Sequence, residues 1–185
     1  MHEAVASPLV AWQNFYVIIG TAAATLTGLM FVVVTVIAGV QRQLSSLNDG
    51  VAAFSTPSVV HFCVSLLVAA LLSAPWPELW YAGLLLGLCG IGGMIYIFIV
   101  IRRTRRQTSY QPVLEDWLWH TILPLCSYVA FVVSAVMLAT DAPLALFIIA
   151  AGMVMLLFIG IHNAWDNVTY LIVEYVVSNN ARRDQ

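Results

Sequence analysis

The chain has 185 residues, of which 62% are hydrophobic and only 9% are charged. A soluble domain carries about 25% charged residues, so this composition excludes a soluble globular protein and predicts one membrane-embedded helical domain over residues 1–185. The net charge is −2 and basic residues are few, which argues against nucleic acid as a partner and leaves membrane lipids.

Five apolar runs are long enough to cross the hydrocarbon core of a bilayer, which takes about 20 helical residues. In chain order, the predicted helices cover residues 12–40, 51–72, 79–101, 113–140 and 142–177. Pro75 and Pro77 mark a short turn after the second helix, and Asp141-Ala142-Pro143 marks another after the fourth. Helices joined by short turns are antiparallel neighbours. The predicted fold is therefore all-α, an integral membrane bundle of five transmembrane helices.

The basic residues predict the orientation of this bundle. All seven are arginines, at Arg42, in the cluster 102–106 and in the tail at Arg182 and Arg183. Because cytoplasmic loops carry the excess of Lys and Arg, placing all three groups in the cytoplasm puts the N-terminus outside and the C-terminus inside. The N-terminus has no basic n-region and no apolar h-region, which predicts that the first helix itself directs insertion into the inner (plasma) membrane.

The fifth predicted helix is longer than a bilayer requires, since at about 1.5 Å per residue it projects past the inner headgroups. The projecting end is interpreted as a solvated terminus, a docking element for a partner, or an oligomer contact. Small residues recur at intervals of four at Gly20, Ala24 and Gly28 and cluster in the third helix over 87–93. Such faces let helices approach closely, either within the chain or in a homo-oligomer.

Two histidines in predicted helices have an aspartate four residues away. His120 follows Asp116 on the fourth helix, and His162 precedes Asp166 on the fifth. Residues four apart share a helix face. Because the two helices run in opposite directions, both aspartates are expected nearer the cytoplasm and both histidines about 6 Å deeper. His61, on the second helix, is the third histidine expected inside the membrane.

Ionisable groups inside a membrane are costly and by default mark function. The predicted metal ligands are His61, Asp116, His120, His162 and Asp166. Imidazole and carboxylate ligands suit zinc, iron, manganese or copper, and paired histidines on facing helices also ligate haem. Asp116 and Asp166 double as candidate catalytic residues that activate a bound water, with Glu115 as a candidate general base. The competing interpretation is that each His–Asp pair is an ordinary ion pair at the membrane interface.

Pro124 follows His120 by four residues. Because proline has no backbone N–H, it leaves the His120 carbonyl without its helical partner, and a kink is predicted there.

Three functions are compatible with this pattern. The first is a metal-dependent enzyme acting on a lipid-phase or amphipathic substrate reached from the inner leaflet. The second is an ion or proton channel or transporter that uses the same cluster. The third is an accessory subunit of a larger membrane complex.

Several stretches resemble a family of small bacterial polytopic membrane proteins with five helices. Trp12-x-Asn14-Phe15-Tyr16 and Thr27-Gly28-Leu29-x-Phe31-Val32 resemble the opening of those proteins. Asp116-Trp117-x-Trp119-His120 and Gly160-Ile161-His162-Asn163-Ala164-Trp165-Asp166 are similar to their later signatures. The resemblance covers most of the chain and implies the five-helix fold, without implying an activity.

A weaker similarity, of chemistry alone, is to the membrane hydrolases that include alkaline ceramidases and the progestin and adiponectin receptors. Those proteins hold zinc with intramembrane histidines, and Ser58, His61 and His162 are similar in kind. They have seven helices, an S-x-x-x-H motif and a terminal H-x-x-x-H motif. In this chain the first spacing is Ser58-x-x-His61, and the last motif ends in Asp166.

Overall fold

The computed structural model describes residues 8–43, 50–106 and 117–183, and within these residues it is all-helical, with no strand. A 3-10 turn over Pro8–Trp12 leads into the first helix. The α-helices are α1 (Gln13–Gln43), α2 (Gly50–Ser73), α3 (Leu79–Arg106), α4 (Leu123–Met137) and α5 (Ala142–Arg183), with a π-helical turn over Leu118–Ile122 directly before α4. The predicted all-α class with five helices is confirmed in these ranges.

Four helical stretches are long and apolar enough to cross a membrane. They are Pro8–Val36, Leu79–Arg102, Leu118–Met137 and Ala142–Asp166. The second helix contributes a shorter apolar stretch, Pro57–Ser73, over its described side chains. Helix length and composition therefore agree with the membrane character predicted from the overall hydrophobicity.

Three helices end at other residues than the sequence predicts: α3 and α5 are longer, and α4 ends earlier. α3 continues to Arg106 and α5 to Arg183, because arginine is a good helix former and its charge is favourable at a helix C-terminus. α4 ends at Met137, earlier than predicted, where the Asp141 amide donates to the Met137 carbonyl at 2.7 Å. The predicted start of this helix, at residue 113, lies outside the described residues.

Four helices form a ring, and the first lies against its outside. α2 contacts α3 and α5, α4 contacts α3 and α5, and α1 packs mainly on α2. Both pairs joined by short turns are thus neighbours, as predicted. The side chains at the centre of the ring are large and almost wholly buried: Leu72, Leu86, Tyr128, Phe131, Leu146, Met153 and Leu156. Asp141 begins α5 by accepting a hydrogen bond from the Leu144 amide at 3.2 Å, as an N-cap does.

Glycines set the closest helix contacts inside the chain. A Cβ at Gly90 would lie 2.7 Å from a methyl of Val132, and one at Gly93 would overlap the Tyr128 ring. α3 can therefore pack on α4 only because these positions lack side chains. On α1, a Cβ at Gly20 would lie 3.2 Å from the Cβ of Ala69 on α2. These small residues serve packing within the monomer.

The chain departs from α-helical geometry beside His120. The Leu123 amide donates to the Leu118 carbonyl, five residues back, and this closes a π turn over Leu118–Ile122. Pro124 explains it, since the missing N–H breaks the regular i→i−4 ladder at this point. The kink predicted at Pro124 thus takes the form of one widened turn. Single π turns inserted in helices are frequent at functional sites.

Candidate functional site

The His61 side chain lies at the centre of the bundle and is fully buried. Its Nδ1 atom lies 2.9 Å from the Tyr128 hydroxyl, at hydrogen-bond distance. The Tyr96 ring meets the imidazole edge to face, with ring centroids 6.5 Å apart. Its Nε2 atom is equally buried but has no hydrogen-bond partner among the described residues. His61 therefore has one nitrogen held by Tyr128 and the other buried without a hydrogen bond in the described part of the chain.

His120 lies in the π turn that precedes α4, the helix that carries Tyr128. The imidazoles of His120 and His61 are close enough to interact electrostatically, which joins the second predicted helix to the fourth. The widened turn carries Trp119 toward α5, where the indole stacks on the His162 ring with centroids 3.8 Å apart and an interplanar angle of 11°. The sequence predicts that His120 and His162 lie level with each other. In the structure it is Trp119 that covers the His162 ring.

His162 and Asp166 meet as their spacing predicts. Nδ1 of His162 lies 3.0 Å from Oδ2 of Asp166. The His162 nitrogen makes no well-aligned hydrogen bond in this arrangement. Asp166 is more than half exposed and the imidazole about a quarter exposed. This pair lies toward the surface of the bundle, whereas His61 lies at its centre.

Two further buried polar side chains, Ser58 and Asn163, lie between α2 and α5. Two contacts define how these helices are aligned. The Ser65 hydroxyl donates to the Met153 carbonyl at 3.2 Å, and a Cβ at Gly160 would overlap the Phe62 ring. This antiparallel register brings Ser58 level with Asn163, one helical turn from His61. Both are fully buried, and neither the Ser58 hydroxyl nor the Asn163 amide has a hydrogen-bond partner in the described part of the chain.

Metal ligands are only partly assembled by the described residues. Among the side chains that the structure describes, which cover residues 8–36, 57–102, 117–166, 168 and 169, no group of three or more His, Cys, Asp or Glu is positioned to hold a metal ion. His162 and Asp166 are in contact, and His120 lies within electrostatic range of His61. Glu115 and Asp116, predicted as a base and a ligand, lie outside the described residues.

The sequence did not single out two buried polar residues near the histidines, Tyr128, which contacts His61, and Asn163. Tyr128 is two helical turns beyond His120, and its hydroxyl is a rare polar group in an apolar run. Asn163 directly follows His162, and in the sequence it stands out only as one residue of the stretch from Gly160 to Asp166. An intramembrane amide or phenol is a usable signal, because a buried polar group in lipid needs a partner. What it partners is set by helix packing, which the sequence does not reveal.

Fold and site together define a class: an all-helical bundle with helices long enough to cross a membrane and a buried imidazole at its centre. Comparison of the chain with models of known protein families, with curated proteins and with solved structures finds no match.

Proposed function

We propose that this protein is a polytopic membrane metalloprotein in which His61 and His120 bind a transition-metal ion inside the bundle. Zinc, iron, manganese and copper are the candidate metals, because imidazole is a preferred ligand of each. Asp116 is the proposed next ligand from the sequence before the π turn, and the His162–Asp166 pair completes the set from α5.

The orientation of His61 carries this proposal. A metal-ligating histidine usually engages its second ring nitrogen in a hydrogen bond that fixes the ring and its tautomer. Nδ1 of His61 has that bond, to Tyr128, while Nε2 is buried without a partner. An imidazole nitrogen left unpaired in an apolar interior costs free energy. A metal ion held between His61 and His120 removes that cost.

The chemistry proposed for this site is that of a metal-dependent enzyme acting on a lipid-phase or amphipathic substrate. A bound divalent ion acts as a Lewis acid toward an oxygen atom of substrate or water. Ser58 and Asn163 offer a hydroxyl and an amide with unused hydrogen bonds next to His61. These groups are suited to hold the polar part of a substrate whose apolar part remains among the helices.

The same proposal includes the topology. In this topology α2 crosses the membrane in addition to the four helices with long apolar stretches, which makes five crossings. Three groups of arginines then lie on one side of the membrane: Arg42, those that end α3 and those that end α5. Because basic residues are retained in the cytoplasm, that side is the cytoplasm, and the protein resides in the inner membrane with its N-terminus outside.

Metal content tests the proposed function directly. Full-length protein purified in mild detergent without chelator is expected to hold about one transition-metal ion per chain. His61→Ala and His120→Ala should each lose most of it, because a two-histidine core cannot be maintained by one imidazole. The absorption spectrum of the same samples distinguishes haem iron from iron held by side chains.

The matched control is His2→Ala, which removes a histidine that the proposal does not use. Its metal content should equal that of the wild type. Far-UV circular dichroism on each variant establishes that the helices are intact. Metal-free wild-type protein, or equal metal in all the variants, would contradict the proposal.

A proton or ion path is the second candidate, and one observation favours it. Ser58, His61 and Ser65 are fully buried and share one face of α2, since they lie three and four residues apart. They form a polar line through an apolar helix, and His61 links it to Tyr128. Reconstituted vesicles loaded with a pH-sensitive dye would acidify faster than those carrying His61→Ala if this line conducts protons. Equal acidification rates for the wild type and His61→Ala would argue against a proton path and favour the metalloprotein.

A further inference from the structure

The third helix has one side that is buried in the bundle and one that is exposed. Each residue of a helix is turned by about 100° from the one before it. On the buried side lie Ala82, Leu86 and Ile97, which are almost wholly buried. The opposite side carries a stripe of large, exposed, apolar residues: Leu84, Leu88, Ile91, Ile95, Phe98 and Ile99. Because α3 is long and apolar enough to cross a membrane, lipid chains cover this stripe, which we call the lipid-facing stripe.

The arginines that end α3 occupy the same side of the helix as the lipid-facing stripe. Four of the last five residues of α3 are arginines, at positions 102, 103, 105 and 106. These positions span roughly 160° of the helix circumference, and the middle of that arc is in line with the middle of the stripe. Thr104, the residue between them, has the same angular position as Leu86 on the buried side. The basic residues of α3 are therefore confined to the side on which lipid lies.

The Arg102 side chain shows how this charge meets the stripe. Its guanidinium carbon lies 4.6 Å from the centre of the Phe98 ring, and both side chains are exposed. Arg102 is also the last residue of the apolar stretch Leu79–Arg102, at the level where hydrocarbon gives way to headgroups. The ion pair found among the described residues is that of His162 with Asp166, so no carboxylate there neutralises Arg102.

Four basic residues within so short a segment are stabilised by a bound anion. Like charges four residues apart, as at 102 and 106, destabilise a helix, yet α3 remains helical to Arg106. Guanidinium groups bind phosphate in a bidentate geometry. A cluster of four or more basic residues directly beyond a membrane-spanning helix is typical of a binding site for anionic lipid headgroups. An anionic phospholipid supplies both chemistries that this side of α3 presents, since its hydrocarbon chains suit the stripe and its phosphate suits the arginines.

We propose that this end of α3 binds an anionic phospholipid, with the acyl chains along the lipid-facing stripe and the phosphate at the arginines. The proposed topology assigns this lipid to the cytoplasmic leaflet, and the rest of the argument does not depend on it. A zwitterionic phospholipid is disfavoured, because its headgroup brings a positive charge to a cluster that is already positive. A free phosphate is disfavoured as well, because it makes no use of the stripe. The site lies on the outer side of α3, whereas His61 lies at the centre of the bundle.

Native mass spectrometry of the full chain in mild detergent tests this site. The probes are dioleoylphosphatidylglycerol, which is anionic, and dioleoylphosphatidylcholine, which has the same chains and no net charge. The wild type should retain the anionic lipid roughly tenfold better or more. Arg102→Gln/Arg106→Gln should lose most of this preference, because each basic residue near a membrane surface contributes about fivefold in affinity. Arg102→Lys/Arg106→Lys should keep part of it, since the charge remains.

The matched control is Arg182→Gln/Arg183→Gln, which removes two arginines from the end of another helix. Its preference for the anionic lipid should equal that of the wild type. Glycerol 3-phosphate, a headgroup without chains, should fail to displace the lipid at equal concentration. Equal retention of both lipids by the wild type, equal loss in the two glutamine variants, or displacement by glycerol 3-phosphate would overturn the proposal. Far-UV circular dichroism on each variant establishes that the helices are intact.

Discussion

His61 has two ring nitrogens in different surroundings, and the difference decides what the residue can do. Nδ1 is engaged by Tyr128, while Nε2 is buried without a hydrogen-bond partner among the described residues. A histidine that served packing alone would gain by satisfying both atoms. The Tyr128 hydroxyl therefore acts as a positioning group for the His61 ring.

Replacing Tyr128 by phenylalanine should weaken metal binding and leave the fold intact. The ring that packs on Gly93 is retained, while the hydroxyl that orients His61 is lost. Loss of such an outer hydrogen bond typically lowers metal affinity about 10–100-fold. Competition with a fluorescent chelator on the purified protein measures the change.

Tyr16→Phe is the matched control for that experiment. Tyr16 is also almost wholly buried, but its hydroxyl has no hydrogen-bond partner in the described part of the chain. Its removal should leave metal affinity unchanged. A similar loss of affinity in both variants would show that Tyr128 acts through general packing and not through His61.

The sequence identifies the histidines of the candidate site and a partner on the same helix, but not their partners on other helices. The four-residue spacing of His162 and Asp166 predicts their contact, because one helix determines it. The contact of His61 with Tyr128 joins residues 67 positions apart, and it depends on how α2 packs against α4. Trp119 takes the place expected for His120 beside His162 because the π turn shifts the phase of the helix before α4.

At the scale of the helices, the most specific packing is between α3 and α4. The Tyr128 ring occupies the space that a side chain at Gly93 would fill. The orientation of His61 thus depends on a position in α3 that has no side chain. Gly92, the preceding residue, has open space where its Cβ would be.

This contrast gives a prediction about stability. Gly93→Ala should destabilise the protein by about 1–3 kcal/mol, because the added methyl group forces the Tyr128 ring out of its place. Gly92→Ala should be neutral or stabilising by up to about 1 kcal/mol, since alanine is the better helix former. Unfolding by denaturing detergent, followed by circular dichroism, measures both. Equal effects of the two substitutions would contradict the packing described for α3 and α4.

Helix positions were largely predictable because each helix is a long apolar run punctuated by proline or polar turns. The end of α4 was not, since the turn from Leu138 to Asp141 depends on how Asp141 caps α5. Pro124 predicts a break in the regular helix at the place where the π turn lies. Its form was beyond the sequence, because a missing N–H is equally compatible with a kink or a wider turn.

For the whole molecule, the arginine distribution makes a prediction about sidedness. A fluorescent protein fused after Gln185 should fluoresce, because it folds in the cytoplasm. An alkaline phosphatase inserted between α2 and α3, after Pro77, should be active, because it folds outside. This outcome follows from five crossings with all arginines retained inside. Reporters active on the same side of the membrane would leave an even number of crossings between them and reject the topology.

The continuity of α5 has a mechanical consequence. Between Gly160 and Arg183 the helix contains neither glycine nor proline, the residues at which helices usually bend. A rotation of one end of this helix is therefore passed along to the other end. Turning the far end by about 20° would move a side chain near Trp119 by about 2 Å, given the helix radius. His162 lies on this helix, so a rotation of its C-terminal end would also move the imidazole that stacks on Trp119.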